Sequence, residues 1–300
     1  MRSLWKGILG LALAVFLLVP AVVLPVAAQS DFEDAVKQFT GENARGYLQP
    51  FAEVFTNNLN SGLYRTAHVS KLGLHLYIGV VAMATIIPEK DKTFKAVPPE
   101  PWPQEPVETA TVFGGEGAVV QGPGGLEYRF QDGQITGDLV PFAVPQLELG
   151  SFLGTMVRLR YAKVNYGDLP EVKLVGFGVQ HSLSQYLFMF PIDLSLGFFQ
   201  QKFKVGDILS ATATSIGLQA SKSFSLLTVY GTAAYEKGTL DASYTYEGGT
   251  EPQEVSISLD SGGSMRLAVG ARLRLGFLIV NGDYSIGARN SFALGLGLEL

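Results

Sequence analysis

Any chemistry done by this chain must come from oxygen and nitrogen side chains, because its 300 residues include no cysteine and only three histidines, His68, His75 and His181. Without Cys there is no thiol nucleophile, thiolate metal site or disulfide. A histidine metal site needs its ligands on one surface, yet His68 and His75 stand seven residues apart and point to opposite faces of a strand. His181 and Ser182 are adjacent and also face opposite sides, so they form no nucleophile–base pair on their own. A membrane lipid hydrolase would have to draw its Ser from another strand. Gly114-Gly115-Glu116-Gly117 has the glycines of a phosphate loop without the Lys-Ser/Thr ending or the following helix, and reads as a plain loop. The reading is therefore non-enzymatic, with no catalytic, cofactor or metal residue expected.

The informative polar residues are charges at alternate positions. Arg158 and Arg160, and Arg272 and Arg274, are two apart, which puts each pair on one face of a strand. With Lys71, His75, Asp193, Asp241, Glu254 and Asp283, they are expected to line the lumen of a barrel. One reading of such a lining is a charged constriction that selects solutes. The other is a salt-bridged network filling a closed barrel, since a buried Arg needs partners whether or not anything passes.

The elements carrying these charges alternate with period two. Leu267, Val269, Ala271, Leu273, Leu275 and Phe277 oppose Arg266, Ala268, Gly270, Arg272, Arg274 and Gly276. Phe292, Leu294, Leu296, Leu298 and Leu300 oppose Gly295, Gly297 and Glu299. The same holds for Leu72 to Val80 against Lys71, Gly73, His75, Tyr77 and Gly79, for 192–199, for 239–246 and for 254–259. Less regular strands fit 143–151, 155–165, 171–182, 208–221, 224–236 and 277–288. Turn residues separate them at Tyr166-Gly167-Asp168-Leu169-Pro170, Glu236-Lys237-Gly238 and Ser261-Gly262-Gly263. The pattern predicts an all-β, antiparallel transmembrane barrel of about 12 strands, within a range of about 10–14. A soluble β-sandwich alternates too, but its wet face carries more charge than Gly, Ser and Thr.

Composition points the same way. Hydrophobic residues reach 47% while charged residues are 16%, with 35 glycines; soluble domains carry roughly 25% charge. Residues 1–28 read as a signal peptide, with Arg2 and Lys6 before an apolar run and Val26-Ala27-Ala28 at a cleavage site near Ala28. An uncleaved anchor is the competing reading, and Pro20 and Pro25 count against it. Removing the leader takes the net charge from −5 to −7, and no Lys/Arg-rich run exists, so nucleic acid is not an expected partner.

Residues 29–66 form a helical segment, with Phe32, Val36, Phe39, Tyr47, Leu48, Phe51, Val54, Phe55 and Leu59 at three-to-four spacing. Pro50 should start or kink a helix, and Ser61-Gly62 should end it. The buried face fits either a plug inside the barrel or a helix at its periplasmic mouth. Residues 67–300 are then the barrel, interrupted by a Pro/Gly-rich insert over 88–142. With both termini periplasmic the insert faces outward.

Gly46-Tyr47-Leu48-Gln49-Pro50-Phe51, Leu59 to Ala67, Gly176 to Tyr186 and Gln219 to Phe224 resemble an uncharacterised bacterial family of outer-membrane β-barrels, a domain of unknown function. That resemblance implies barrel and location and carries no site residues. The N-terminal helical segment is also similar in layout to long-chain fatty-acid transporters, whose N-terminus plugs the pore. The expected protein is an outer-membrane barrel with outer-membrane lipid and the barrel-insertion machinery as partners. It would serve as a channel or transporter for small or hydrophobic solutes, or as a structural, surface-interacting barrel.

Overall fold

The computed structural model describes residues 41–165, 170–187, 189–246 and 253–300. The signal peptide expected over 1–28, the helical stretch with Phe32, Val36 and Phe39, and the Tyr166-to-Leu169 part of one turn lie outside the described residues. The chain forms a helix α1 (Gly41–Leu59) and a first long strand β1 (Leu72–Ile86). Four short strands follow: β2 (Thr93–Ala96), β3 (Val107–Ala110), β4 (Val119–Gln121) and β5 (Glu127–Arg129). Nine long ones complete the chain: β6 (Leu139–Phe152), β7 (Thr155–Val164), β8 (Val172–Ser182), β9 (Asp193–Val205), β10 (Leu209–Phe224), β11 (Leu227–Tyr246), β12 (Gln253–Leu275), β13 (Leu278–Ile286) and β14 (Ser291–Glu299). β6 through β14 pair antiparallel in order, and β1 pairs with both β14 and β6, which closes a ten-stranded barrel. Closure leaves no barrel edge, as backbone surrounded by lipid requires.

Alternation becomes inside and outside. Leu267, Val269, Leu273 and Leu275 are exposed, while Arg266 and Arg272 on the opposite face are buried. Ile78, Val175, Phe177, Leu196, Phe198, Ile216, Leu218, Leu294 and Leu296 continue the apolar exterior around the barrel. An apolar surface that encircles the molecule fits a bilayer and no aqueous solvent. Phe152, Phe224 and Phe277 project beside the tight turns, and Tyr161, Tyr235 and Tyr284 lie toward the other end, as two aromatic belts would. Among the described residues no helix is long and apolar enough to cross a membrane.

The barrel has ten strands and not twelve. Segments 224–236 and 239–246 are one strand, β11, and 254–259 and 266–277 are one strand, β12. Glu236-Lys237-Gly238 and Ser261-Gly262-Gly263 lie opposite each other where the register shifts between Lys237 and Thr239, so their glycines mark a β-bulge instead of two turns. The bulge also exchanges the faces of β12, with Arg266 inward below it and Ile257 and Leu259 inward above it. β6 starts at Leu139, ahead of the expected 143, although Pro141 and Pro145 lie within it. Its pairing with β7 begins only at Gln146, so neither proline withholds an amide from that neighbour.

The insert is folded. β2 pairs with β3 and β4 with β5, forming a cap over the long-loop end. The Gly114–Gly117 stretch is held as a loop, with the Gly117 amide donating to Asp132 Oδ1 at 2.7 Å. That bond holds the Asp132 carboxyl below the usual carboxylate range.

Helix α1 runs into the barrel with Pro50 in its interior. Early in the helix Arg45 donates to Ser258 O and Gln49 to Asp260 O on the projecting β11–β12 hairpin. Farther along, His68 meets Asp193 at the tight-turn end, and β1 begins there. Residues 41–69 thus traverse the lumen from the long-loop end to the tight-turn end. Leu48, Phe51, Val54, Phe55 and Leu59 pack against wall residues Met83, Val144, Leu174, Phe203 and Leu240 and against Val112, Phe113 and Phe130 of the cap. Phe55 centres this core, 4.8 Å from the ring of Phe203, 5.9 Å from Phe142 and 5.5 Å from Phe51. A Cβ at Gly238 would overlap the Thr56 side chain, so the bulge glycine allows α1 to approach β11. Gly238→Val should lower unfolding stability by about 1–3 kcal/mol, read as a lower temperature at which the compact band on an unboiled gel is lost. An unchanged transition would show that α1 does not seat against the bulge.

Candidate functional site

The lumen is crossed by charged side chains, and the lowest layer centres on Arg65, which follows α1. Its Nε donates to both Glu148 oxygens at 3.0 and 3.1 Å, and its Nη1 donates to Glu299 Oε2 at 2.7 Å. Glu148, from β6, also accepts from Arg158 Nε and Gln146 Nε2, each at 2.7 Å. Glu299, from β14, is paired as well with Arg272 of β12. The Arg65 guanidinium lies 3.9 Å over the Tyr77 ring, and His75 Nε2 is 3.8 Å from Glu148 Oε2. Three guanidinium groups and two carboxylates thus share one buried layer, and desolvation makes each dependent on the others.

A second layer fastens the end of α1. A helix leaves its last carbonyls unpaired and carries partial negative charge there, and α1 has no basic residue in its last turn. The wall supplies what the helix lacks. Arg160 donates to the carbonyls of Leu59 at 3.1 Å, Ser61 at 3.1 Å and Gly62 at 2.8 Å, and its Nε to Gln146 Oε1 at 2.9 Å. Gln201 Nε2 adds a bond to Leu59 O at 2.5 Å. Arg266 donates to Asn57 O at 2.7 Å, to Ser61 Oγ at 3.1 Å and to Ser291 Oγ at 2.7 Å, and pairs with Glu236 at 2.8 Å. Nearer the cap, Arg289 bridges Asp91 and Glu53 of α1.

Glycines on the inner wall make room for aromatic rings. A Cβ at Gly79 or Gly297 would collide with Tyr77, and one at Gly197 or Gly217 with Tyr64.

Of the residues expected to line the lumen, Arg158, Arg160 and Arg272 are buried in these layers. Asp283 accepts from Tyr230 Oη at 3.0 Å. His75, Arg272 and Arg274 border a cavity of about 370 Å³ at the tight-turn end, beside His68, Ser151 and Glu299. Asp193 pairs there with His68, Nδ1 to Oδ1 at 3.1 Å, and Lys71 is exposed at the foot of β1. Asp241 and Glu254 are exposed on the outer face of the projecting hairpin, not in the lumen. Above the bulge α1 makes the interior apolar, with Leu240, Ala242, Ile257 and Leu259 inward, so the polar face turns to water. His181 and Ser182 do not form a pair. His181 binds Thr155 Oγ1 at 2.8 Å and Tyr186 Oη at 2.9 Å.

The residues not anticipated are Arg65, Glu148, Arg266, Arg289 and Glu299. Arg266 and Glu299 lie in clean alternation, on the same faces as Arg272 and Gly297, and Glu148 alternates with Gln146. That signal was present. Their convergence on a segment distant in sequence has no local signature.

A closed antiparallel barrel with a belted apolar exterior and an ion-paired interior is the fold of an outer-membrane β-barrel protein. Within that class the chain belongs to the Family of unknown function (DUF6588), whose profile matches residues 5–300. No curated protein matches the chain. Solved structures similar to it include Vibrio cholerae OmpT, folded in vitro, at 11% identity over 52% of this chain and 55% of that one, TM-score 0.27. This chain thus spans little more than half of that protein's length. The outer membrane protease OmpT of Escherichia coli is 8% identical over 77% of this chain and 97% of that one, TM-score 0.37. Ail, the attachment invasion locus protein of Yersinia pestis, is 11% identical over 76% and 97%, TM-score 0.25. The barrel assignment rests on the strand pairing and the two faces described above. Similarity to long-chain fatty-acid transporters is not shown.

Glu148→Ala leaves Arg65 and Arg158 buried without their shared carboxylate and should cost about 3–5 kcal/mol in urea unfolding followed by circular dichroism. Glu254→Ala, outward on the hairpin, should cost less than about 0.5 kcal/mol. Equal losses would mean that the buried layer is not a unit. The hydrogen bond to Asp193 raises the pKa of His68. Because the folded value lies above the ordinary one, the stabilising pair is complete below about pH 6.5 and is lost as pH rises through the raised value. An NMR titration of the His68 ring should give a midpoint above 6.5 that falls back toward it in Asp193→Asn. A midpoint indifferent to that substitution would remove the pair.

Proposed function

We propose that the protein is a non-enzymatic barrel of a bacterial outer membrane, sealed by its own N-terminal segment and presenting its folded cap as an interaction surface. The observation that carries this reading is the grip of Arg160 on the backbone carbonyls of Leu59, Ser61 and Gly62 at the end of α1, at mid-lumen. A plug meant to leave would not be the shared core of wall and cap, and α1 is that core. Short turns of outer-membrane barrels face the periplasm and long loops face outward, which puts residues 87–138 at the cell surface. Lipid surrounds the apolar belt.

A second reading, a gated channel for small solutes, draws on the tight-turn cavity of about 370 Å³. There Arg272 Nε is buried without a hydrogen-bond partner among the described residues, and Arg274 is half exposed. These groups favour a small anion. In this reading α1 must shift before anything passes.

The absence of native cysteine allows a direct test. Ser61 Oγ and Ser291 Oγ are 2.9 Å apart, so S61C with S291C can lock the segment to the wall. In planar bilayers the sealed barrel should give no single-channel steps whether the pair is reduced or oxidised. Steps that vanish on oxidation and return on reduction would replace the seal with a gate.

A further inference from the structure

The outer face of β7, β8 and β9 carries a row of lysines just beyond the apolar belt. Lys163 is directly opposite Lys173, and Lys173 is directly opposite Lys204. Lys202 follows on the same face of β9, and all four side chains are exposed. Below them on the same strands stand Tyr161, Val175 and Phe198, so the row borders the membrane-facing surface at its long-loop edge. Directly opposed residues on neighbouring strands have Cβ atoms about 4.5–5.5 Å apart, and like charges so placed repel. One carboxylate offsets them, Glu171, 2.7 Å from Lys163. Lys173, Lys202 and Lys204 have no acidic partner within ion-pair distance among the described residues. The row continues onto β10 as hydroxyls, with Ser210 opposite Lys204 and Thr212 opposite Lys202. Asp241 lies one strand farther on, opposite Ser210.

We propose that this row binds the phosphate groups of a saccharolipid in the outer leaflet, with its acyl chains along the apolar face below and its sugar hydroxyls against Ser210 and Thr212. The argument is one of charge complementarity and height. Ammonium groups need anions, the adjoining surface needs hydrocarbon, and a phosphorylated lipid headgroup supplies both at one level. Lysine stems reach past the belt while their charges stay in the headgroup layer.

The test is native mass spectrometry of the folded full chain in detergent, with bisphosphorylated lipid A as probe and phosphatidylglycerol as comparison. Lys173→Gln with Lys204→Gln should weaken lipid A retention roughly thirtyfold. Lys222→Gln, at the opposite end of the barrel, should leave it unchanged. Compact gel mobility of each variant confirms folding, since the substituted side chains are exposed. Equal retention by wild type and the double variant would overturn the proposal. So would equal retention of phosphatidylglycerol, which would indicate attraction to any anionic lipid. Displacement by millimolar inorganic phosphate would do the same, because it would reveal a small-anion site with no need of a lipid.

Discussion

Everything inside this barrel depends on the cost of keeping guanidinium groups away from water. Arg65, Arg158, Arg160, Arg266 and Arg272 are all nearly fully buried, and each must find acceptors or destabilise the fold. Wall carboxylates meet Arg158, Arg266 and Arg272 through Glu148, Glu236 and Glu299, but among the described residues none pairs with Arg160. The N-terminal segment completes the account with Arg65 as a cation for Glu148 and Glu299, and with the open carbonyls of Asn57, Leu59, Ser61 and Gly62 as acceptors for Arg160 and Arg266. Wall and segment are each incomplete without the other. The charged lining is therefore better understood as an adhesive than as a selectivity ring.

Size makes that arrangement workable. A ten-stranded barrel is slightly wider than one that its own side chains can fill, and too narrow for a water channel around a helix. The surplus is taken up by one helix at the long-loop end and by one extended segment at the other. The inner glycines adjust the fit locally, with Tyr77 lying over Gly79 and Gly297 and Tyr64 over Gly197 and Gly217. Large inward rings, Tyr64 on the segment and Tyr77 on β1, set against missing side chains on the wall give a packed interior where a uniform lining would leave gaps.

How much of this can be read from the residues depends on the range of the interaction concerned. Alternation is local, so the exterior, the inward direction of Arg158, Arg160 and Arg272 and the barrel itself are legible. A bulge is also encoded locally, but in the same letters as a turn: Gly238 and Ser261-Gly262-Gly263 read as chain reversals and proved to be one irregularity shared by two strands. Asp241 and Glu254 mislead for a different reason. They obey period two, but the polarity of the two faces inverts where the hairpin leaves the membrane and closes on α1. The partners of the buried arginines are the least legible, since Glu148 and Arg65 meet only through barrel register and the path of a segment outside it.

The path of that segment bears on assembly. Residues 41–69 pass through the lumen in one direction and β1 returns in the other, outside, as part of the wall. A segment so placed is encircled, and the seam that completes the encirclement is the pairing of β1 with β14. Threading a 19-residue helix through a finished barrel would require breaking every layer of wall contacts in turn. The economical order is the reverse, with the helix present before the ring shuts. In that order the plug acts as a mandrel around which the last strand is gathered in, while strand number and stagger set the circumference at which the barrel closes.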